Sequence, residues 1–300
     1  MNRREPSTPA TAPSDLGARL APAIFVVIWA TGFIVARLVA GDAEPLTFLW
    51  IRYALAIAVL AVAAWLAGAA WPSTWAGWRD GLVAGVLLHG AYLGGVFWSV
   101  SHGLPAGIAA LVAGLQPLLT GLLVAPLIGE TVSARRWLGI AVGFAGVLLV
   151  VVPRLGEGSG IPPIPLAVCF SGVLAITLGT IWQKRTASKL DLRTNTVVQY
   201  CGALLFTLPL ALLIEEGRIV FTTEVVIGLA WAVLGLSIGA ISLLLVLIRR
   251  GAVAGVASLL FLVPPCSALM AYLLFGETLA PIQMLGMGVA ALGVALASRG

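Results

Sequence analysis

The stretch GETVSARRWLGIAVGFAGVLLV, residues 129–150, returns near the end of the chain as GETLAPIQMLGMGVAALGVALA, residues 276–297. The offset is 147 residues. At this offset the opening Gly-Glu-Thr coincides, Leu138-Gly139 falls on Leu285-Gly286, and Gly146 falls on Gly293. Self-similarity at a fixed period indicates an internal repeat.

The same shift holds without a gap from about residue 20 to the end of the chain. Identical pairs elsewhere are Gly32 and Gly179, Thr47 and Thr194, Tyr53 and Tyr200, Gly81 and Gly228, Ala110 and Ala257, and Pro117 and Pro264. Glu130 and Glu277 each precede an apolar run, where a carboxylate can accept from the unpaired N–H groups of a helix start. We therefore expect the two acids to fix paired helix starts.

The composition indicates a chain that lies in lipid. Of its 300 residues, 60% are hydrophobic and only 10% are charged, and the mean hydropathy is +1.08. A soluble chain usually carries about 25% charged residues. The net charge of +5 is spread singly or in small groups between apolar runs, which is typical of membrane-flanking loops rather than of a nucleic-acid surface.

Ten apolar runs are each long enough to cross a bilayer, which needs about 20 residues. They lie at roughly 21–40, 46–68, 81–101, 105–127, 134–152, 164–184, 194–214, 225–248, 252–274 and 281–298. The predicted fold is an all-α integral membrane protein of ten transmembrane helices. Its predicted parts are a disordered cytoplasmic tail (1–19), a five-helix repeat (20–153), a linker (154–166) and a second five-helix repeat (167–300).

Five is an odd number, so the second repeat should enter the membrane from the opposite side, as in many secondary transporters. With the N-terminus in the cytoplasm, 13 of the 17 Lys and Arg residues fall inside. The four on the outer half are Arg37, Arg52, Arg154 and Arg218. The positive-inside rule then places both termini in the cytoplasm, in a membrane that we expect to be the bacterial inner membrane.

The two quoted stretches resemble the end of an EamA domain, with its Gly-Glu before the last helix and glycines at set intervals. The first run, IFVVIWATGFIVARL, is similar to the first helix of that family. The resemblance covers nearly the whole chain as two EamA domains of the drug/metabolite transporter superfamily. It implies export or exchange of small metabolites, and the aromatic amino-acid exporters are the branch that it suggests.

Polar residues inside spans are costly and therefore informative. His89 and Tyr92 share one helical face, and Gln116 precedes Pro117. Internal hydrogen bonding and substrate binding remain equal alternatives for each of the three alone. Their repeat partners, however, are the apolar Leu236, Gly239 and Val263, which favours an asymmetric ligand. His89 is also the one interior candidate for proton coupling, because imidazole titrates near neutral pH.

Aromatic residues and helix breakers complete the candidate site. Trp29, Trp98 and Trp182 are candidates to line a cavity for flat ligands, although lipid-facing packing explains them equally well. Breaks at matching helices point to a transport site, and the hinge candidates are Pro117, Pro264, Gly94, Gly95 and Gly239. For Arg52 we favour snorkelling to the outer face or pairing with Asp42 or Glu44.

No Asp or Glu lies deep in a predicted span, which argues against an exporter of cationic drugs, and the expected site is nearly neutral. We expect a neutral or aromatic amino acid as substrate, no cofactor and no metal. The three cysteines fit ordinary packing.

A multidrug exporter or a lipid flippase of the same fold is the alternative. An intramembrane enzyme is less favoured, because motifs such as His-Glu-x-x-His are lacking. The expected partners are a small-molecule substrate and membrane lipid, not nucleic acid. The glycine pairs of the fifth and tenth spans fit either internal packing or a homodimer.

Overall fold

The computed structural model describes residues 16–128, 133–151, 160–186, 191–240, 243 and 262–298. Outside them lie most of the predicted tail, Glu130, the start of the predicted linker and the predicted helix ends between 244 and 261. The described part of the chain is helical, with a single bridge of extended backbone between Ala43 and Ile219.

Eleven helices are named here in chain order. They are α1 (Leu16–Val39), α2 (Pro45–Leu66), α3 (Trp75–Ser101), α4 (Ala106–Ala113), α5 (Gln116–Ile128), α6 (Ala134–Val151), α7 (Pro163–Thr186), α8 (Leu192–Ile214), α9 (Thr223–Ala240), α10 (Val263–Phe275) and α11 (Pro281–Ser298).

Six segments of the described chain are long and apolar enough to cross a membrane. They are Pro45–Leu66, Trp75–Ser101, Ala106–Leu123, Pro163–Thr186, Leu192–Ile214 and Thr223–Ala240. Shorter apolar helices occupy Ala23–Val39, Val263–Phe275 and Pro281–Leu296. Large apolar side chains cover the outside of the bundle; Trp65 and Leu213, for example, are more than 70% exposed. This surface suits lipid, as the composition predicts.

Helices α2 and α8 lie antiparallel and are joined at both ends. The carboxylate of Glu215, just after α8, accepts hydrogen bonds from the backbone N–H groups of Leu46 (2.9 Å) and Thr47 (2.7 Å) at the start of α2. At the opposite end, the Thr194 hydroxyl near the start of α8 donates to the Ala70 carbonyl beyond the end of α2. Thr47 and Thr194 are repeat partners, so matching positions join the two helices at both ends.

Helices α6 and α11 pack through the glycines of the repeat. A methyl group at Gly293 would collide with the backbone of Gly143, and one at Gly146 would collide with the backbone of Ala290. Small residues thus let these two helices touch along their backbones. Both helices belong to one chain, so these small residues serve packing within it.

We expect Gly293→Ala to destabilise the protein by about 1–3 kcal/mol, because an added methyl group must push the two backbones apart. The matched control is Gly288→Ala on the same helix, where a methyl group meets nothing within 4 Å. Both changes raise helix propensity equally, so the difference between the two thermal unfolding midpoints in detergent isolates the packing effect. Equal midpoints would contradict the close crossing.

The acid of the second Gly-Glu-Thr does fix a helix start, but not the one that follows it. Glu277 Oε1 accepts from the backbone N–H of Ala106 at the start of α4 (3.4 Å) and lies 3.5 Å from Arg37 Nε. The expectation that Glu277 caps the helix after it is therefore wrong. At the start of α11 it is Gln283 Oε1 that accepts from the Ala280 N–H. Glu277 instead joins the second repeat to the first.

Candidate functional site

A helix break in the first half of the chain meets the start of a helix from the second half inside the bundle. In the first half, α4 ends at Ala113 and α5 begins at Gln116, directly before Pro117. In the second half, α10 begins at Val263, so that Pro264 lies in its first turn. The break and this helix start touch: a methyl group at Gly114 would lie 3.0 Å from Pro264 Cγ. Pro117 and Pro264 are repeat partners, and a break at Pro117 was predicted from the sequence; residues 244–261, before the predicted break at Pro264, lie outside the described part of the chain.

A small cavity of about 40 Å³ lies at this meeting point. We call it the break cavity. Its lining includes Trp29, Phe33, Tyr92, Gln116, Ile176 and Pro264. The Gln116 amide nitrogen donates to the Thr180 hydroxyl at 3.0 Å, which fixes the direction of its side chain. Three predicted site residues, Trp29, Tyr92 and Gln116, are thus brought together.

Helices α3 and α9 carry a wide, π-helical segment at matching places in the two halves. In α3 it covers Val86–Ala91, and in α9 it covers Ala232–Ala240. Shifted by 147 residues, the first segment falls within the second. Such wide turns disturb the regular hydrogen-bond ladder and are frequent at functional sites. They carry His89 in α3 and Ser237 in α9.

A second group of polar residues is gathered around these wide turns. We call it the arginine cluster: Arg52, Tyr53, His89, Gln199, Tyr200 and Ser237. The His89 ring stacks on the Tyr200 ring with 4.7 Å between centroids. The Tyr200 hydroxyl donates to Ser237 Oγ (2.8 Å), and the Tyr53 hydroxyl donates to the His89 carbonyl (2.9 Å). Arg52 Nη2 reaches Ser237 Oγ at 3.4 Å.

The position of Arg52 corrects the interpretation of this residue. Its side chain neither reaches the outer face nor pairs with Asp42 or Glu44: the residue is only 4% exposed. Glu44 instead accepts from the backbone N–H of Arg218, and Asp42 from the Thr222 hydroxyl. The interior is therefore not neutral, as the sequence suggested, but carries one guanidinium.

The arginine cluster contains two pairs of residues at matching positions of the two repeats. Arg52 and Gln199 are 147 residues apart, as are Tyr53 and Tyr200, and the two tyrosine rings lie 5.8 Å apart. Matching positions of antiparallel α2 and α8 thus face each other. Apart from His89, sequence reasoning missed this cluster, although the pairing of Tyr53 with Tyr200 was a signal for it.

Two predicted aromatic residues lie at helix ends. The Trp98 ring stacks on His102 with 3.9 Å between centroids, near the end of α3. The Trp182 indole donates to the Asp80 carbonyl at 3.2 Å and so connects α7 to α3. Among the predicted hinge glycines, Gly95 lies close to Gly172 of α7, Gly94 lies near Leu46, and Gly239 lies near the Leu234 carbonyl. Neither tryptophan contributes to the lining of the break cavity.

The model of the EamA-like transporter family matches residues 17–152 and again residues 164–299. Both bounds of the second match are shifted by 147 residues from those of the first. The chain belongs to the EamA-like transporter family. The two-repeat organisation expected from the Gly-Glu-Thr stretches is thereby confirmed, and this EamA chain is a membrane transporter.

Two relatives of this EamA protein are named as transporters, without a stated substrate. It is 25% identical over 274 residues to the uncharacterized inner membrane transporter YedA of Escherichia coli (strain K12), covering 91% of this chain and 88% of that one. It is 26% identical over 195 residues to the uncharacterized transporter YvbV of Bacillus subtilis (strain 168). That match spans 61% of this chain and 60% of YvbV.

The fold is shared with solved structures, among them a crystal structure of another protein. It superposes with a TM-score of 0.65 at 19% sequence identity, covering 94% of this EamA chain and 96% of the other. In the described part of the chain, no group of three or more His, Cys, Asp or Glu side chains could hold a metal ion. The break cavity and the arginine cluster are therefore the candidate places for contact with a transported molecule.

Proposed function

We propose that this EamA protein is a secondary transporter that exports or exchanges small amphipathic metabolites, with neutral and aromatic amino acids as the preferred cargo. The observation that carries the proposal is the contact between the helix break of the first repeat and the start of α10 in the second, at a cavity lined by Trp29, Tyr92 and Gln116. Transporters of repeated architecture bind substrate at such breaks, where backbone groups are free to face a ligand.

The lining of the break cavity suits the two ends of an amphipathic molecule. The rings of Trp29 and Tyr92 offer flat apolar faces, each contributing roughly 0.5–1.5 kcal/mol to an aromatic ligand beyond the burial of area. Ala113 and Gly114, where α4 ends, also line it. The carbonyl end of a helix carries partial negative charge and favours an ammonium group.

The size of the cavity supports a mechanism of alternating access. At about 40 Å³ it has room for a few water molecules, whereas ligand pockets usually measure about 300–1,000 Å³. A metabolite can enter only if the surrounding helices separate. The break at Gly114 separates α4 from α5 beside the cavity, and α10 begins there, so that these helices can move separately about the site between the repeats.

Inverted topology of the repeats is part of the proposal. Matching helices lie antiparallel in two places, α2 with α8 and α6 with α11, which supports an odd number of spans per repeat. With the distribution of Lys and Arg, this favours ten spans, both termini in the cytoplasm and the loop near Arg154 outside, in the inner membrane of a bacterium.

Cysteine labelling tests the topology. In a variant whose three native cysteines are replaced by alanine, we expect Gly158→Cys to react with a membrane-impermeant maleimide in intact cells. We expect Ser188→Cys, between α7 and α8, to react only after permeabilisation. The reverse order of labelling would contradict the inverted arrangement.

Transport itself is tested with purified protein in liposomes loaded with unlabelled tryptophan. We expect saturable uptake of labelled tryptophan, inhibited by tryptophan and phenylalanine at concentrations about tenfold lower than by alanine or threonine. Equal inhibition by all four would refute the aromatic preference. Inhibition by a quaternary ammonium drug alone would identify a multidrug exporter, and flux of labelled lipid alone would identify a flippase.

A further inference from the structure

Arg52 is a buried cation whose guanidinium is incompletely hydrogen-bonded in the described part of the chain. Its Nε has no hydrogen-bond partner, and its contact with Ser237 Oγ is long, at 3.4 Å. Within the described residues no carboxylate lies within salt-bridge distance of it: the arginines found in ion pairs there include Arg37 with Glu277, Arg79 with Asp80 and Arg193 with Asp191, but not Arg52. The guanidinium thus has an unused donor at Nε, and no carboxylate of the described residues balances its charge.

Such an arrangement is a poor way to stabilise a fold. A charge removed from water costs several kcal/mol unless a partner of opposite sign compensates, and inside a membrane protein an ionisable residue is by default a functional one. Ser237 gives little compensation, because its hydroxyl already accepts from Tyr200 and donates to the Ala232 carbonyl (3.0 Å). An anion that is not part of the protein would satisfy Arg52.

The neighbours of Arg52 indicate which anion. The other members of the arginine cluster are hydroxyl, amide and imidazole groups, so the guanidinium is its one permanent charge. A guanidinium matches a carboxylate through two parallel hydrogen bonds. A phosphate, with close to two negative charges and three oxygens, would leave charge uncompensated here. We propose that Arg52 binds the carboxylate of the carried molecule.

The place of the cluster fits this role, which rests on the proposed transport function. His89 belongs to the arginine cluster and Tyr92 lines the break cavity, and the two residues are three apart on α3. They are less than one helical turn apart, so the arginine cluster and the break cavity adjoin along α3. One small molecule can therefore place its carboxylate at Arg52 and its side chain between Tyr92 and Trp29.

The test measures equilibrium binding to purified protein in detergent, independently of transport. The probes are phenylalanine, phenylalanine amide, which lacks the carboxylate, 3-phenylpropionate, which lacks the ammonium group, and inorganic phosphate. We expect the wild type to bind phenylalanine at least about tenfold more tightly than the amide. Arg52→Gln should remove this difference, whereas Arg218→Gln, the same change at an exposed arginine, should keep it.

A stability readout separates a binding role from a structural one. If Arg52 serves the ligand, Arg52→Gln without ligand should unfold at the same temperature as the wild type or higher, because an uncompensated charge is removed. A lower unfolding temperature with unchanged binding of phenylalanine would overturn the proposal. The double variant Arg52→Gln/Gln199→Arg moves the cation to the matching repeat position and should bind phenylalanine more tightly than Arg52→Gln alone.

Other outcomes are equally decisive. No binding of either carboxylate by the wild type, or equal binding of acid and amide, overturns the carboxylate site. Binding of phosphate alone, lost in Arg52→Gln, also overturns it. Carboxylate binding without flux in liposomes would refute transport and leave the site standing. Flux that is equal for acid and amide and unchanged in Arg52→Gln would support transport and refute the carboxylate site at Arg52.

Discussion

Trp29→Leu and Tyr92→Leu should each weaken inhibition by tryptophan about fivefold, and together about thirtyfold, while inhibition by alanine changes little. Leucine keeps most of the apolar surface but removes the ring face, which contributes about 1 kcal/mol per aromatic contact. Inhibition by alanine should change little because this ligand has no ring and makes no such contact in the wild type. The measurement is the half-inhibiting concentration of each amino acid against labelled tryptophan uptake in liposomes.

The control for this pair is Trp65→Leu. Trp65 lies near the end of α2 and is 74% exposed to lipid or its interface, so the same change there should leave the ratio of tryptophan to alanine inhibition unchanged. If Trp65→Leu reduces the ratio as much as the cavity variants do, the effect reflects general loss of an aromatic residue. The break cavity would then lose its place as the ring-binding site.

His89→Ala should lower the maximal rate of uptake by more than about tenfold, whereas Leu236→Ala should lower it less than about twofold. The two positions are repeat partners on matching wide turns, and both substitutions truncate a partly buried side chain to a methyl group. His89, however, stacks on Tyr200 beside Arg52, so its loss disturbs the charged group of the site. His89 also forms a side-chain hydrogen bond with Gln199, and a buried group that loses its partner costs about 1–3 kcal/mol.

Rates for the two variants are compared at equal amounts of monodisperse protein, measured by size-exclusion chromatography. Equal losses in both would show that the two wide turns matter only for packing. The asymmetry of the polar residues between the repeats would then have no bearing on the ligand.

The sequence was sufficient to predict the repeat, because a period of 147 residues is a property of the chain and survives any packing of its helices. Pro117 was sufficient to predict the break between α4 and α5, since proline removes a backbone donor wherever the helix lies. Trp29, Tyr92 and Gln116 were predicted together for a related reason: each lies near the middle of its run, which puts it deep in any bundle.

Arg52 could not be placed in the same way. Its depth in span 2 permits both snorkelling and burial, and only the crossing of α2 and α8 decides between them. The position of α8 depends on close backbone contacts, such as Gly85 against the Gln199 carbonyl and Gly202 against Leu82, which bring α3 and α8 together. A glycine in a single sequence does not indicate which residue of another helix will pack against it. Trp98 and Trp182 were uncertain because their place depends on where helices end to within one turn.

In the proposed mechanism the carried molecule occupies the break cavity. Protection by the substrate of a cysteine placed in this cavity tests that position most directly. Ala113 lines the break cavity and can be replaced by cysteine in the variant that lacks native cysteines. We predict that saturating tryptophan slows the reaction of Ala113→Cys with a small thiol reagent by at least about fivefold, whereas glucose does not. A reaction rate unaffected by tryptophan, in protein that still transports tryptophan, would contradict the account.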